Sequence, residues 1–265
     1  MNTIKPLAEF VKKAGDRAAE GQLEVSRSFK KDGSVITHID RELNEYLSKA
    51  IASLYPEANL VTEETAGSYD KGREYCFAVD PIDGTDSFSQ FMPGWCVSVG
   101  LLKNNQPVGG IVYAPLWGGK NGSFLFCDLD SPVSLNGVQL STADLEMEDE
   151  PEGIQVMTGS RLHHNFDFSL FKGKIRTAGS AVLNIVSPLL HSAVAGTIIP
   201  PCNIWDIAAA HAIIKRAGLE FSFYSGKDVD YSELYDRSIC RDFIVSGRSS
   251  FCPVIRERFV KRDQR

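Results

Sequence analysis

The spacing of apolar residues divides the chain into a helical beginning and a strand-rich continuation. Two amphipathic helices are predicted before Pro56, because apolar residues recur three and four positions apart in two segments there. These residues are Leu7, Phe10, Val11 and Ala14 in the first segment and Leu43, Leu47, Ala50, Ile51 and Leu54 in the second. Beyond Pro56 the period approaches two, and Gly, Asn and Pro separate the predicted strands NLVT, YCFAVD, WCVSVGLL, PVGGIVYAP and SFLFC. The Asn136-Gly137 dipeptide predicts a tight hairpin turn.

The second half of the chain alternates strand and helix patterns, which is typical of a mixed α/β layer. Helices are predicted from about Ser180 to Leu190 and from Asp206 to Arg216, and a basic helix follows near the end. Strands are predicted for EGIQVMT, AVAGTII, LEFSFY and DFIVS. Residues 141–153 are acidic and poor in core residues. We therefore predict a solvated connection there, between an N-terminal α+β subdomain, 1–140, and a C-terminal α/β subdomain, 154–265.

Charge and cysteine usage narrow the class of protein. A chain of 265 residues with a net charge of −6 has no broad positive surface for a nucleic-acid polymer or an anionic membrane. No apolar run approaches the length of a membrane span, so no membrane partner is expected. The 6 cysteines are scattered, without a CxxC pair or a secretory leader. This usage predicts reduced thiols in a cytoplasmic protein.

Three carboxylates stand within one turn directly after an apolar strand, in the stretch AVDPIDGTDSF. They are Asp80, Asp83 and Asp86. Carboxylates at the end of a buried strand need a cationic partner, and Mg²⁺ prefers carboxylates combined with water and phosphate oxygens. Gly84 permits a sharp turn and the close approach of a ligand. The alternative interpretation is an Asx turn that leads into a helix capped by Asp86 or Ser87.

Further carboxylates favour the metal-site interpretation. Glu63 and Glu64 follow another predicted strand, and Asp206 stands where a helix is predicted to begin. Each of them alone is typical of an exposed charge or a helix N-cap. Together with the DPIDGT turn they supply enough oxygen ligands for two metal ions, which is a known arrangement for phosphate displacement.

Three motifs, in this order, resemble the metal-binding motifs of the inositol monophosphatase family: VTEET, AVDPIDGTDSF and NIWDIAAAHAII. The segments KKDGSVITHID and AGSAVLNI resemble the family as well, and the likeness extends over about residues 5–220. It implies an α/β fold, the layered αβαβα sandwich that the family shares with fructose-1,6-bisphosphatase, with metals at the junction of the two halves. Residues 221–265 match weakly and carry no site prediction.

The resemblance also implies roles for individual residues. The metal ligands, for two or three Mg²⁺ ions, fall on Glu63, Asp80, the main-chain carbonyl of Ile82, Asp83 and Asp206. Glu64 would hold a metal-bound water, and Asp40 would pair with Thr85, whose hydroxyl accepts a proton from that water. Contacts to phosphate and substrate fall on Asp83, Gly84, Thr85, Gly179, Ser180, Ala181 and Asp206. Lys30, or its neighbour Lys31, matches a lysine near the site.

The function that the resemblance implies is hydrolysis of a small phosphomonoester by direct in-line attack of a metal-activated water. Relatives with nearly the same metal core act on inositol phosphates, fructose bisphosphate, adenosine 3',5'-bisphosphate or histidinol phosphate, so the substrate stays open. A rival class of phosphatases, with aspartates two apart as DxDGT, does not fit, because Asp80 and Asp83 are three apart. A catalytically silent metal- or phosphate-binding regulator is the alternative from another class. The resemblance further implies a homodimer and inhibition by Li⁺.

The segment before Asp206 departs from the pattern of inositol-preferring relatives. They carry a glutamate seven residues before the aspartate of the WD motif, where this chain has Ile199, followed by Pro200 and Pro201. Isoleucine accepts no hydrogen bond from a ring hydroxyl. We therefore expect no strong preference for myo-inositol 1-phosphate, and several esters that compete within about tenfold in kcat/KM.

Other polar or aromatic residues receive structural interpretations. Asp86 is expected to cap a helix rather than pair with a substrate amine. Of His163 and His164, one ring is expected to be exposed and the other packed. His211 is expected to be structural, and Trp95 to mark the start of a core strand.

Overall fold

The computed structural model describes residues 1–30, 33–65, 69–140 and 152–262. Lys31 and residues 141–151, most of the predicted acidic connection, lie outside the described residues. In the first half the elements are α1 (Lys5–Gly21), β1 (Ser28–Phe29), β2 (Val35–Ile36), α2 (His38–Leu54), β3 (Asn59–Thr62), β4 (Tyr75–Asp83), α3 (Thr85–Ser89), β5 (Cys96–Lys103), β6 (Gln106–Ala114), β7 (Ser123–Cys127), β8 (Ser134–Leu135) and β9 (Val138–Gln139).

The second half contributes β10 (Gln155–Thr158), β11 (Phe166–Asp167), β12 (Lys174–Arg176), α4 (Ala181–Leu190), β13 (Val194–Ile199), α5 (Ala208–Arg216), β14 (Glu220–Phe223), β15 (Ile244–Gly247), α6 (Cys252–Arg258) and β16 (Val260–Lys261). Short 3₁₀ turns at Gln22–Glu24, Leu162–His164 and Ile204–Asp206 connect some of them.

Two large sheets form the framework. The first has seven strands in the order β3-β4-β5-β6-β7-β8-β9, with β3 parallel to β4 and every later pair antiparallel. The second has five strands in the order β12-β10-β13-β15-β14, in which β15 runs antiparallel to both neighbours. The Asn136-Gly137 turn joins β8 to β9, as predicted.

Helices cover both faces of the sheets and produce five layers. α1 and α2 pack on one face of the seven-stranded sheet, and α4 and α5 fill the space between the two sheets. α6 covers the outer face of the five-stranded sheet. Helices on both faces explain why β4 and β5 are buried almost throughout and read as continuous apolar runs. The predicted αβαβα arrangement is confirmed.

Some element boundaries differ from the predictions. The helix predicted from Asp206 begins at Ala208, because the chain first makes the 3₁₀ turn Ile204–Asp206. The strands β1 and β2 between the first two helices were not predicted, nor was β12. These strands are two or three residues long, and β12 is exposed along its whole length, so no apolar alternation marks it.

Two further findings concern the described residues. All six cysteines are free thiols. No described helix combines the length and the apolar character needed to cross a bilayer.

Candidate active site

Three aspartates from the DPIDGT and WD motifs meet at one end of the seven-stranded sheet. Asp80 and Asp83 lie at the end of β4, and Asp206 ends the 3₁₀ turn before α5. One carboxylate oxygen of each residue lies within 4.8 Å of those of the other two. Asp80 and Asp83 are buried, whereas Asp206 is half-buried. Folding thus brings together acidic residues that are more than 120 positions apart in the chain.

A register slip in β4 turns both of its aspartates to the same side. Asp80 pairs with Ser98 and Asp83 with Cys96, so a step of three residues on β4 faces a step of two on β5. In a regular strand, residues three apart point to opposite faces, and one extra residue restores a common direction. The intervening Ile82 side chain is buried in the core beneath α1 and α2.

Asp83 is oriented by the first turn of α4. Its Oδ2 accepts hydrogen bonds from the Val182 amide, at 2.7 Å, and from the Ser180 hydroxyl, while its Oδ1 lies 3.4 Å from the Ala181 amide. Burial raises the pKa of Asp83 to about 6, although these hydrogen bonds favour the charged carboxylate. The resemblance assigns Ser180 and Ala181 to substrate binding, but here both donate hydrogen bonds to Asp83, a candidate metal ligand.

Two glycines allow the turn after β4 to approach the segment before α4. Gly84 and Gly179 have φ values of +94° and +101°, in the region that favours glycine. A Cβ at Gly84 would lie 2.8 Å from the Gly94 carbonyl oxygen, and one at Gly179 would lie 2.0 Å from the Ser87 hydroxyl oxygen. Larger residues at these positions would push apart two walls of the site.

Thr85 and Asp40 are in direct contact, as the resemblance implies. The Thr85 hydroxyl oxygen lies 3.0 Å from Asp40 Oδ1 and 2.9 Å from the carbonyl oxygen of Ile82. Asp40 Oδ2 accepts from the Thr37 amide, at 2.9 Å, within the capping box that begins α2. Burial raises the pKa of Asp40, against the hydrogen bonds from Thr37 and Thr85. The Ile82 oxygen keeps a second lone pair for another ligand.

Glu63 and Glu64 share one lysine. The Lys30 ammonium lies 2.7 Å from a carboxylate oxygen of each. Burial raises the pKa of Glu63 to about 7, although Lys30 opposes the shift. Burial disfavours the charged Lys30, but the two glutamates outweigh it and raise the pKa of Lys30. Glu63 lines the same cavity as the three aspartates, but it is not among the residues whose ligand oxygens lie within 4.8 Å of one another.

The oxygen atoms of this site suit a hard divalent cation. Burial raises the pKa of Asp80 and of Asp206 well above the usual range, and the carboxylates of Glu63 and Asp83 add to the effect. In the described part of the chain, no lysine or arginine forms an ion pair with Asp80, Asp83 or Asp206. Several buried carboxylates with no partner of opposite charge fit a site for Mg²⁺ or a similar ion.

A cavity of about 600 Å³ opens above the aspartates. Gly84, Thr85 and Gly179 line it near the carboxylates, and Ser160 and Arg161 line it as well. A larger cavity of about 810 Å³, beside residues 223–242, is lined by neither the three aspartates nor the glycines. The chemistry therefore belongs to the smaller cavity.

Arg237 is a site residue that sequence reasoning missed. Its guanidinium donates to the carbonyl oxygens of Thr62, at 3.0 Å, and of Glu63, at 2.6 Å, and lies 4.9 Å from the centre of the Trp205 ring. It thereby ties the end of β3 to the residue before Asp206. Arg237 falls in the region of weak resemblance, and no local pattern marks it as a partner of residues about 175 positions earlier.

Two structural interpretations were wrong. Asp86 does not cap α3, because the N-cap residue of α3 is Gly84 and no side chain caps that helix. The Asp86 carboxylate instead forms an ion pair with Arg27 and accepts a hydrogen bond from the Gln90 side chain. His163 and His164 are both exposed, with ring centres 4.1 Å apart, because they lie in a 3₁₀ turn rather than on a strand.

The other structural interpretations are confirmed. His211 is half-buried and contacts Tyr231 and Phe221. Trp95 is fully buried and directly precedes β5. The Ile199 side chain lies in the core at the end of β13, so it presents no acceptor to the cavity.

Comparison with known proteins identifies the family of the chain. Residues 3–244 match the profile of the inositol monophosphatase family. A fructose-1,6-bisphosphatase/inositol-1-monophosphatase of Thermotoga maritima is 30% identical over 200 residues, which is 74% of each chain.

Solved structures share the fold at lower identity. An IMPase/NADP phosphatase complexed with Mg²⁺ and phosphate superposes with a TM-score of 0.79 at 15% identity, covering 98% of this chain and 97% of that one. A staphylococcal inositol monophosphatase soaked in LiCl gives a TM-score of 0.77 at 16% identity, covering 96% of this chain and 92% of that one. The chain belongs to the inositol monophosphatase family and is a phosphoric monoester hydrolase.

Proposed function

We propose that the protein is a Mg²⁺-dependent phosphatase that hydrolyses a small phosphorylated sugar, polyol or related metabolite by direct attack of water. The observation that carries the proposal is the group formed by Asp80, Asp83 and Asp206, whose oxygens lie within 4.8 Å of one another. These carboxylates have no ion-pair partner among the described residues, and they line a cavity large enough for a small ester.

Residue roles follow from the contacts together with the resemblance. Asp80, Asp83, Asp206, Glu63 and the Ile82 carbonyl would hold two or three Mg²⁺ ions. Bound Mg²⁺ supplies a coordinated water of lowered pKa and neutralises phosphate oxygens. Gly84 and Thr85 would receive the phosphate, and Gly179, Ser180 and Ala181 would form the wall toward the alcohol.

The attacking water would give its proton to the Thr85 hydroxyl oxygen while the Thr85 hydroxyl proton passes to Asp40 Oδ1. The 3.0 Å contact between the Thr85 hydroxyl and Asp40 supports this role, because a carboxylate acceptor makes the hydroxyl oxygen a better base. Glu64, whose carboxylate lies 2.7 Å from the Lys30 ammonium, would orient the water. Direct attack produces no phosphoenzyme.

Phosphate release from a panel of phosphomonoesters tests this proposal. Chelation should abolish turnover, and added Mg²⁺ should restore it. Asp83→Asn should lower kcat by about a hundredfold or more, because a metal loses a charged ligand. Undiminished release after thorough chelation would reject the metal mechanism, and near-native turnover by Asp83→Asn would reject the ligand assignment. Millimolar Li⁺ should inhibit, as the lithium-soaked staphylococcal structure leads us to expect.

The resemblance also leads us to infer a cytoplasmic homodimer. Sedimentation at micromolar concentration tests the dimer, and a monomer would reject it without affecting the proposed chemistry. The division at residues 141–153 likewise stays a proposal, supported by the acidic composition of that segment.

A further inference from the structure

The lining of the cavity above the aspartates includes arginine side chains that have no role in the proposed chemistry. Arg27 and Arg161 are the two arginines that line it. Arg27 is neutralised by Asp86, with which it forms an ion pair. Arg161 is exposed, and within the described parts of the chain it has neither an ion pair nor a side-chain hydrogen bond.

The backbone that carries Arg161 is well anchored. Leu162, the next residue, is buried, and its amide donates to the Gly159 carbonyl at 3.1 Å. Gly159 packs so closely on Pro200 that a Cβ there would lie 2.6 Å from the proline ring. The turn that holds Arg161 is therefore fixed against the segment that leads to Asp206, and the guanidinium extends from an anchored backbone.

The polar groups around the cavity favour an anion over a neutral polyol. A guanidinium offers five N–H donors in a planar fork, accepts nothing, and pairs best with phosphate or carboxylate oxygens. Hydroxyl donors of a polyol need acceptors, but Ile199 is buried in the core and Asp86 is already paired with Arg27. The described lining thus offers an unpaired guanidinium, whereas neither Ile199 nor Asp86 supplies a polyol with a free carboxylate acceptor.

We propose that Arg161 selects phosphate esters whose alcohol portion carries a second anionic group, either a phosphate or a carboxylate. The inference rests on the proposed phosphatase function and narrows its substrate class. The scissile phosphate would lie at Asp80, Asp83 and Asp206, and the second anion would pair with Arg161. The expectation of several esters within about tenfold then applies to esters that share this second charge.

Matched pairs of esters test the proposal. The pairs are fructose 1,6-bisphosphate against fructose 1-phosphate, adenosine 3',5'-bisphosphate against adenosine 3'-monophosphate, and 3-phosphoglycerate against glycerol 3-phosphate. Within each pair, the selectivity is the ratio of kcat/KM for the ester with the second anion to that for the ester without it. At least one pair should show a ratio of about ten or more. The pair with the highest ratio shows whether the second anion is best recognised on a sugar, on a nucleoside or as a carboxylate.

Arg161→Gln should lower that ratio about tenfold or more, chiefly through KM of the doubly charged ester, because charge-assisted hydrogen bonds are lost. Arg161→Lys should lower it less, since it keeps the charge without the fork. Lys172→Gln removes an exposed positive charge from the same half of the chain but outside the cavity lining, and it should leave the ratio unchanged.

Failure of this inference can be told apart from failure of the proposed function. Mg²⁺-dependent release with no favoured pair, or with the same ratio in the wild type and Arg161→Gln, would overturn the inference alone. No release from any of the six esters would overturn the proposed function and, with it, the inference.

Discussion

Thr85 lies between two oxygen acceptors, Asp40 at 3.0 Å and the Ile82 carbonyl at 2.9 Å. In the proposed chemistry its hydroxyl handles a proton and does not hold the ion. Thr85→Ala should therefore lower kcat by about 10² to 10⁴, the usual value of general-base assistance, while the Mg²⁺ concentration for half-maximal rate changes little. Initial rates over a Mg²⁺ titration provide both quantities. Joint loss of metal affinity and rate would assign Thr85 to coordination instead.

His211 shows how burial, as the main cause, sets the charge of a residue outside the site. Its Nδ1 lies 2.9 Å from the Tyr231 hydroxyl oxygen, and its ring stacks on Phe221 at 4.0 Å. Burial, with a smaller effect of Lys215, lowers the pKa of His211 to about 3. The unfolded chain, with a pKa near 6.5, binds the proton more readily. The stability that neutral His211 contributes is thus complete above about pH 6.5 and is lost as the pH falls toward 3.

His211→Gln should reveal this pH dependence. The advantage of the wild type over the variant in free energy of unfolding should shrink by roughly 1.4 kcal/mol for each pH unit below about 6.5. Urea unfolding of both proteins at pH 7.5, 6.0 and 5.0 provides the comparison. A difference that stays constant over this range would mean that His211 binds its proton equally well in both states.

At the scale of elements, the register slip in β4 explains why Asp80 and Asp83 point to the same side, which the motif alone does not explain. The DPIDGT letters identify Asp80 and Asp83, yet their separation of three would point them apart on a regular strand. The pairing with Ser98 and Cys96 restores a common direction. A sequence pattern records which residues are present, but a slip of this kind depends on the neighbouring strand.

Elements with a long apolar period were predictable, and those without one were not. α1, α2 and the central strands each bury a continuous face, which fixes the spacing of their apolar residues. The start of α5 was misplaced because Asp206, the aspartate expected to begin that helix, forms a 3₁₀ capping box with Asn203. The role of Arg237 and the contact of Lys30 with two glutamates both depend on tertiary contacts, which no local sequence pattern encodes.

Arg237 connects two segments that each carry a proposed metal ligand, the residue after β3 and the turn before α5. Arg237→Met should raise the Mg²⁺ concentration for half-maximal rate about three- to tenfold, because hydrogen bonds that fix the Glu63 backbone are lost. Arg241→Met is the matched control: Arg241 lies in the same loop but pairs with exposed Glu233, and surface pairs contribute little. Equal metal requirements in the two variants would contradict the positioning role of Arg237.

At the scale of the whole molecule, the site lies between the two sheets, beside α4 and the turn before α5. Asp83 comes from the seven-stranded sheet and is held by α4, which packs against the five-stranded sheet. Asp206 also comes from the second half of the chain. Metal binding should therefore stabilise the molecule as a unit, because it relieves repulsion between carboxylates from both halves.

Thermal unfolding should show this stabilisation. Mg²⁺ at about 100 times its Kd should add about 2.7 kcal/mol and raise Tm by roughly 5–10 °C. Asp83→Asn should show a smaller rise in Tm with Mg²⁺, and NaCl at matched ionic strength should not produce the rise. Equal shifts in the wild type and the variant would indicate that Mg²⁺ acts outside the aspartate group.

The central claim is that Asp80, Asp83 and Asp206 form a metal centre, and anomalous diffraction from crystals soaked in Mn²⁺ tests it most directly. Mn²⁺ takes oxygen ligands of the same kind as Mg²⁺ and has a measurable anomalous signal. We predict a strong peak about 2.0–2.3 Å from one carboxylate oxygen of each aspartate, and its loss in Asp83→Asn. Fully occupied Mn²⁺ elsewhere on the molecule, with no peak among these three carboxylates, would contradict the account.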